Sequence, residues 1–216
     1  MKKNLVVVGA GGHARETEMV LRHSPTLSQR YTFRGYIVSD LRKLGPRDSR
    51  TQVIGDLEWL AKRRNEIDAV AMGIGSPQAR WQVANDVKRI HPEVEFPAFV
   101  HPTAIVDAET VFFGEGCYVA AGVISTVNVR FEAFSVVNFG AMIGHEAVIG
   151  AASVINPGAN VSGGVTIGAR CLIGTGAQIL QYLRIGDDAV VGAGAVVTKD
   201  VASGAKVLGV PAKPAD

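Results

Sequence analysis

The chain has 216 residues, 47% of them apolar, with 6% aromatic residues and 25 glycines, which suits one or two domains and a core of small aliphatic side chains. Its 22 basic and 20 acidic residues are mixed along the chain and leave a net charge of +2. That excludes the concentrated basic surface of a nucleic-acid binder or membrane-surface protein, and no stretch is long enough for membrane insertion.

Asn4 to Val8 reads as a buried parallel strand. The apolar part, Leu5 to Val8, is too short for the core of a signal peptide, so a cytoplasmic protein is expected. Gly9-Ala10-Gly11-Gly12-His13-Ala14 follows, then a helical pattern to about His23. Strand, glycine turn and helix match G-x-G-x-x-A, in which backbone N–H groups and a helix N-terminus approach a phosphate. A tight strand-to-helix turn with no ligand fits the same residues.

The polar stretch around Pro25 is expected to be a loop, Phe33 to Val38 the second strand, and Leu41 to Gln52 an exposed loop. Val53-Ile54-Gly55 leads into Asp56, an N-cap for a helix from Leu57 to Arg64. Ile67 to Met72 is a strand. Ser76 and Pro77 suit the cap and first position of a helix from Gln78 to Ile90, and Glu95 to Phe99 is a last short strand. Alternating strands and helices predict a small parallel α/β sheet over residues 1–100.

From Val137 to Val197 the pattern changes to a period of six. Every block opens on Val or Ile: VNFGAM, IGHEAV, IGAASV, INPGAN, VSGGVT, IGARCL, IGTGAQ, ILQYLR, IGDDAV, VGAGAV, VTKDVA. Position two is often Gly, and position five is small or aliphatic. Period six fits neither an amphipathic helix nor a plain half-buried strand; it is the hexapeptide signature of a parallel β-helix, with positions one and five inward. In the same register the array runs back to His101, where His101, Asp107 and Ser125 break the apolar rule at position one. A β-helix over 101–216 therefore follows the α/β domain.

Cys117 and Cys171 both fall on inward positions, 171 − 117 = 54 residues apart, or three coils of 18. At about 4.8 Å per coil they stand roughly 14 Å apart, too far for a disulfide. His145 and Glu146 occupy a corner, where side chains project outward. Eighteen residues later stand Gly163 and Gly164, so the wall beside the pair is expected to be stripped of side chains, as a thin ligand arm requires. Asn138, at a corner position one block earlier, is a candidate to share the site. An idle exposed pair is the plain alternative, but it leaves the paired glycines unexplained. No two histidines lie at metal-ligand spacing with a carboxylate, so no metal is expected.

Taken together, Gly-x-Gly-Gly-His-Ala, His101-Pro102-Thr103-Ala104, Asn138 before His145-Glu146, Ser162-Gly163-Gly164-Val165 and Gly209-Val210-Pro211-Ala212-Lys213 resemble the sugar acetyltransferases related to sialic acid O-acetyltransferase and UDP-N-acetylbacillosamine N-acetyltransferase. The resemblance implies a left-handed β-helix, about 18 residues per coil, and a homotrimer with active sites between subunits. It implies acetyl-CoA along the β-helix near Gly163, Gly164, Thr175 and Ala193, and a nucleotide-sugar acceptor near Gly11, Gly12, His13, Asp40 and Gly55. The chain departs from the family where Ser39-Asp40 replaces an acidic pair, and where Val154 replaces a second histidine of some members.

The implied chemistry is acetyl transfer from acetyl-CoA to an amine of a nucleotide-linked sugar, by direct attack with His145 as base and Glu146 behind it. O-acetylation of a sugar hydroxyl uses the same parts. An NAD-dependent oxidoreductase is disfavoured, because nothing after residue 100 resembles a substrate domain for hydride transfer. A non-catalytic β-helix is disfavoured by the His-Glu corner.

Overall fold

The computed structural model describes residues 1–215, with Lys43 described by its backbone alone. The chain forms two compact units, Met1–Phe99 and Val100–Asp216. In the first unit the strands are β1 (Lys3–Val8), β2 (Tyr31–Val38), β3 (Val53–Asp56) and β4 (Ala69–Met72). They pair in parallel in the order β3-β2-β1-β4, so β1 is central, and Leu5 to Val8 are fully buried as a strand covered on both faces must be. The helices are α1 (Gly12–His23), α2 (Pro25–Arg30), α3 (Leu57–Lys62) and α4 (Pro77–Ile90).

Helix α2 lies where a loop was expected. Ser24 accepts from the Leu27 N–H and Pro25 occupies the first turn, so the cap and the pre-set φ of proline outweigh the polar composition. Glu95 makes only a single parallel bridge to Ala69, and the two-residue strand Phe99–Val100 belongs to another sheet, so the predicted strand over 95–99 does not form. Its carboxylate is anchored elsewhere, by Lys3, Arg30 and the Tyr31 hydroxyl at 2.6–2.8 Å. Ser76 precedes α4 without a side-chain cap bond.

The second unit is a left-handed β-helix of two-residue strands on three parallel faces. The first face stacks Tyr118–Val119, Val136–Val137, Val154–Ile155, Leu172–Ile173 and Val190–Val191. The second stacks Ile124–Ser125, Met142–Ile143, Asn160–Val161, Gln178–Ile179 and Val196–Val197. The third stacks Phe112–Phe113, Arg130–Phe131, Val148–Ile149, Thr166–Ile167 and Arg184–Ile185. Each residue pairs with the one 18 later. One face of one coil cannot hide its apolar side, and stacking supplies the cover: Val137, Ile143, Ile149, Ile155, Val161, Ile167 and Ile173 are at most 2% exposed.

The corners explain the glycines. Every sixth residue from Gly116 to Gly194 is left-handed, with φ between 55° and 70°, and this is position four, not two. Asn128, Phe134, Glu146, Ala152, Arg170, Tyr182 and Asp188 hold that conformation without being glycine, at a cost of order 1 kcal/mol each. The N–H at such a position can bond to the preceding coil, as Glu146 does to Val127 (3.0 Å) and Gly164 to His145 (2.7 Å). Position-two glycines answer a different need. A Cβ on Gly144 would stand 2.5 Å from the Gly163 nitrogen in the coil above.

The early register needs one correction. Ile105–Val106 pairs with Ile124–Ser125, a step of 19, whereas later coils step by 18. The extra residue sits in the turn 107–112, where the Thr110 hydroxyl bonds Asp107 and also accepts from the Asn128 N–H at 2.8 Å. Val106, not Asp107, therefore takes the inward role in the first coil, which is why His101 and Asp107 looked out of place.

Candidate active site

His145 and Glu146 lie on the corner between the second and third faces, half-exposed or more. Glu146 is left-handed at φ 61°, and its Oε2 is 3.7 Å from His145 Nδ1. That is beyond a hydrogen bond, and it places the carboxylate on the Nδ1 side of the ring. The other side of the imidazole rests on Gly163. A Cβ there would fall 2.4 Å from Nε2, 2.5 Å from Cε1 and 2.9 Å from Cδ2.

The adjacent glycine carries a second ring. A Cβ on Gly164 would stand 2.3 Å from Cδ1 and 2.6 Å from Cε1 of Tyr182. The expected bare wall is thus absent. His145 reaches forward one coil onto Gly163, and Tyr182 reaches back one coil onto Gly164. The glycines are needed because the chain's own rings occupy the space a side chain would take. Among the described residues, the Gly163 N–H has no acceptor in the ladder, whose rungs on either side run from Ser162 to Ile179 and from Gly164 to His145. Sequence reasoning passed over Tyr182. The available signal was its block, ILQYLR, which puts Leu180 where the neighbouring blocks place Gly, Ser or Thr.

Asn138, Thr175 and Ala193 lie on a different edge, between the first and second faces. Asn138 donates to Asn156 one coil on (3.3 Å), and Gly194 bonds to the Thr175 carbonyl (2.8 Å). The second-face strands separate that edge from His145. Between the edges lies a depression of about 280 Å³ lined by Ile124, Met142, Gly144, Asn160 and Ser162 among others. Ile105, Ile124 and Met142 form an exposed apolar column on this face, 65%, 40% and 48% accessible.

In the first unit, Gly11 is the N-cap residue of α1, and Gly12 has open space where a side chain would be. His13 is partly buried in the first turn, its side chain 12% exposed and its Nδ1 3.4 Å from Glu16; desolvation holds its pKa down, Glu16 opposes this, and the charge of Arg80 lowers it further. The loop 41–52 is tied onto the glycine turn and is not simply exposed. Ser49 N–H donates to the Ala10 carbonyl (2.9 Å), Arg15 donates to the Arg47 carbonyl (2.9 Å), and Asp48 Oδ1 lies 3.5 Å from where a Gly11 Cβ would be. The turn therefore has Gly12 open and Gly11 next to a carboxylate. Asp40 lines a cavity of about 240 Å³ with Gly9, Val38, Leu44, Asp48 and Ile74, and is held in a two-point fork by Arg42 at 2.9 Å. Gly55 is remote in role: its missing side chain makes room for Trp59, whose Cγ and Cβ would be 2.3 and 2.5 Å from an added Cβ.

Both cysteines are buried, and neither is in a disulfide. Among the described residues no group of His, Cys, Asp and Glu could hold a metal ion, and no helix is long and apolar enough to cross a membrane.

Comparison with known proteins supplies independent findings. The PglD N-terminal domain family matches residues 4–87, and the bacterial transferase hexapeptide family matches 146–181 and 164–199. A search of curated proteins finds no match. Among solved structures the chain is similar to PerB of Caulobacter crescentus in complex with CoA and GDP-perosamine, at 28% identity and TM-score 0.87 over 99% of this chain and 97% of that one. Variants of that perosamine N-acetyltransferase in which a histidine is replaced by Asn or Ala match equally well. The acetyltransferase domain of PglB from Neisseria gonorrhoeae, in complex with acetyl coenzyme A, matches at 28% identity and TM-score 0.86 over the whole of both chains. WeeI of Acinetobacter baumannii matches at 27% identity and TM-score 0.82, over 98% and 99%.

Proposed function

We infer that this chain, a hexapeptide-repeat sugar acetyltransferase carrying a PglD-type N-terminal domain, moves an acetyl group from acetyl-CoA to the amino group of a nucleotide-linked sugar. The observation that carries the reading is the His145 imidazole seated on Gly163 with a carboxylate on its Nδ1 side. Nε2 takes a proton from the amine as its nitrogen attacks the thioester carbon. Glu146 stabilises the imidazolium so formed, and the Gly163 N–H supplies a donor for the developing oxyanion. Collapse breaks the C–S bond, and the thiolate of CoA recovers the proton from the imidazolium. Cys117 and Cys171 are buried and burial raises the Cys171 thiol pKa, so attack is direct, with no acetyl-enzyme.

We assign residues 101–216 to the donor and the base, and residues 1–100 to the nucleotide-sugar, with Gly12, His13 and Asp40 as contacts. We propose that the enzyme is a cytoplasmic homotrimer. The support is that the edge carrying Asn138 with the donor contacts Thr175 and Ala193, and the edge carrying His145 with Gly163 and Gly164, flank one face with an exposed apolar column, so a second copy packed there complements each half-site. His145→Ala tests the chemistry. It is expected to lower kcat by roughly 10²- to 10⁴-fold with little change in acetyl-CoA affinity. Near-wild-type kcat across pH 6 to 9 would remove the base assignment.

A further inference from the structure

Tyr182 has no part in the mechanism above, yet its surroundings are built. It is 69% exposed, in a chain poor in aromatic residues, and on a surface an isolated ring of that accessibility has no packing reason to be ordered. The residue is held in three ways, two through its backbone and one through its ring. It is left-handed at φ 61°, its N–H donates to the Gly163 carbonyl at 3.0 Å, and one side of its ring lies against Gly164, where no other residue leaves room. Gly163 and Gly164 are consecutive, with Cα atoms about 3.8 Å apart. The two rings that rest on them are therefore neighbours: the base on one, the phenol on the next.

We propose that Tyr182 is a positioning residue for the acceptor, receiving the C–H face of the amino sugar's pyranose ring so that the amine meets His145 Nε2. The inference rests on the acetyltransfer reading and deepens it. One side of the phenol faces bare backbone, and its exposure leaves the rest for a ligand. The face of an aromatic ring is electron-rich and apolar, and the axial C–H bonds of a pyranose present the complementary surface. Of the donor's assigned contacts, Thr175 and Ala193 lie on the other edge, while Gly163 and Gly164 bring only its thioester end to this corner, so the acceptor amine and the sugar ring that carries it must meet the acetyl group here, beside the phenol. An ordered ring set in advance beside the base limits the freedom that the sugar must lose on binding.

The plainer role for such a ring is to shield the Gly164–His145 hydrogen bond from water. Steady-state kinetics of the full chain with acetyl-CoA and a nucleotide-linked amino sugar separate the two, comparing wild type with Tyr182→Phe, Tyr182→Leu and Tyr182→Ala. Leu keeps apolar cover but lacks the flat face. The expected result is an acceptor KM raised about tenfold or more in the Leu and Ala variants. Phe should stay within about threefold of wild type, and acetyl-CoA KM within about twofold in all three. If acceptor KM in Tyr182→Leu matches wild type, or if acetyl-CoA KM is the constant that rises, the proposal is overturned while acetyl transfer stands. If wild-type enzyme acetylates no nucleotide-linked amino sugar, the functional reading falls and takes this proposal with it. Melting temperatures of the variants identify any loss that is only structural: a lowered Tm and kcat with unchanged acceptor KM supports the shield and refutes the stacking role.

Discussion

Replacing Gly163 by alanine adds one carbon directly beneath the base. Gly163 is not among the left-handed positions, so alanine meets no backbone penalty. The new Cβ would stand 2.4 Å from His145 Nε2 and 2.5 Å from Cε1. Ordinary contact between such atoms is about 3.5 Å, so the ring has to retreat by about 1 Å or turn away. The ring is half-exposed and has room to move, so folding stability should fall by no more than about 1.5 kcal/mol, the cost of an off-rotamer side chain. Catalysis is less tolerant. A misplacement of about 1 Å costs on the order of 10²-fold in rate, equivalent to about 2.7 kcal/mol of transition-state stabilisation. The assay is release of CoA thiol with saturating acceptor, beside a thermal melt. As a control, Gly204 is left-handed at φ 71° with nothing within 4 Å of an added Cβ, so Gly204→Ala should lower stability by about 1 kcal/mol and leave kcat alone. Wild-type kcat in Gly163→Ala would refute the reasoning that the glycine seats the imidazole.

Two further outcomes follow from the first unit. Gly55→Ala should destabilise that unit by about 1–3 kcal/mol, because an added Cβ would lie within 2.8 Å of three Trp59 side-chain atoms; a urea midpoint equal to wild type would show that Trp59 can simply move. His13 has a folded pKa below its unfolded value of 6.5, since burial disfavours the charged ring. The unfolded chain therefore binds the proton first, and the contribution of His13 to stability is complete above about pH 6.5 and declines as pH falls toward the folded pKa. His13→Asn should flatten the stability profile below pH 6.5, and urea midpoints at pH 7.5 and 5.5 that differ as much in the variant as in the wild type would contradict this.

Much of this could be read from the residues. The inward positions of the array are a direct consequence of alternating directions in short strands, so Val and Ile every six residues located them. The strand β1, the caps at Asp56 and the first-turn Pro77 were equally plain. What failed did so for identifiable reasons. Ser24-Pro25 carries the start signal of a helix, but a polar run hid it. His101 and Asp107 signalled the extra residue in 107–112, because an inserted residue shifts every earlier position by one. The two classes of glycine could not be told apart by composition, since close approach at position two and left-handed φ at position four both favour the same residue. Asn138 and His145 differ by seven, more than one block, which already placed them on different corners. The seating of two rings on Gly163-Gly164 was hidden because it depends on which way side chains lean between coils.

The 18-residue step also governs how the length of this chain can change. Inserting or deleting one six-residue block would turn everything beyond it by a third of a revolution about the array axis. His145 would then move to an edge facing another direction, although its own coil would be unaltered. Eighteen residues restore the phase and only lengthen the stack. The single residue added in 107–112 is the other permitted kind of change: a corner absorbs it, and every later face keeps its heading.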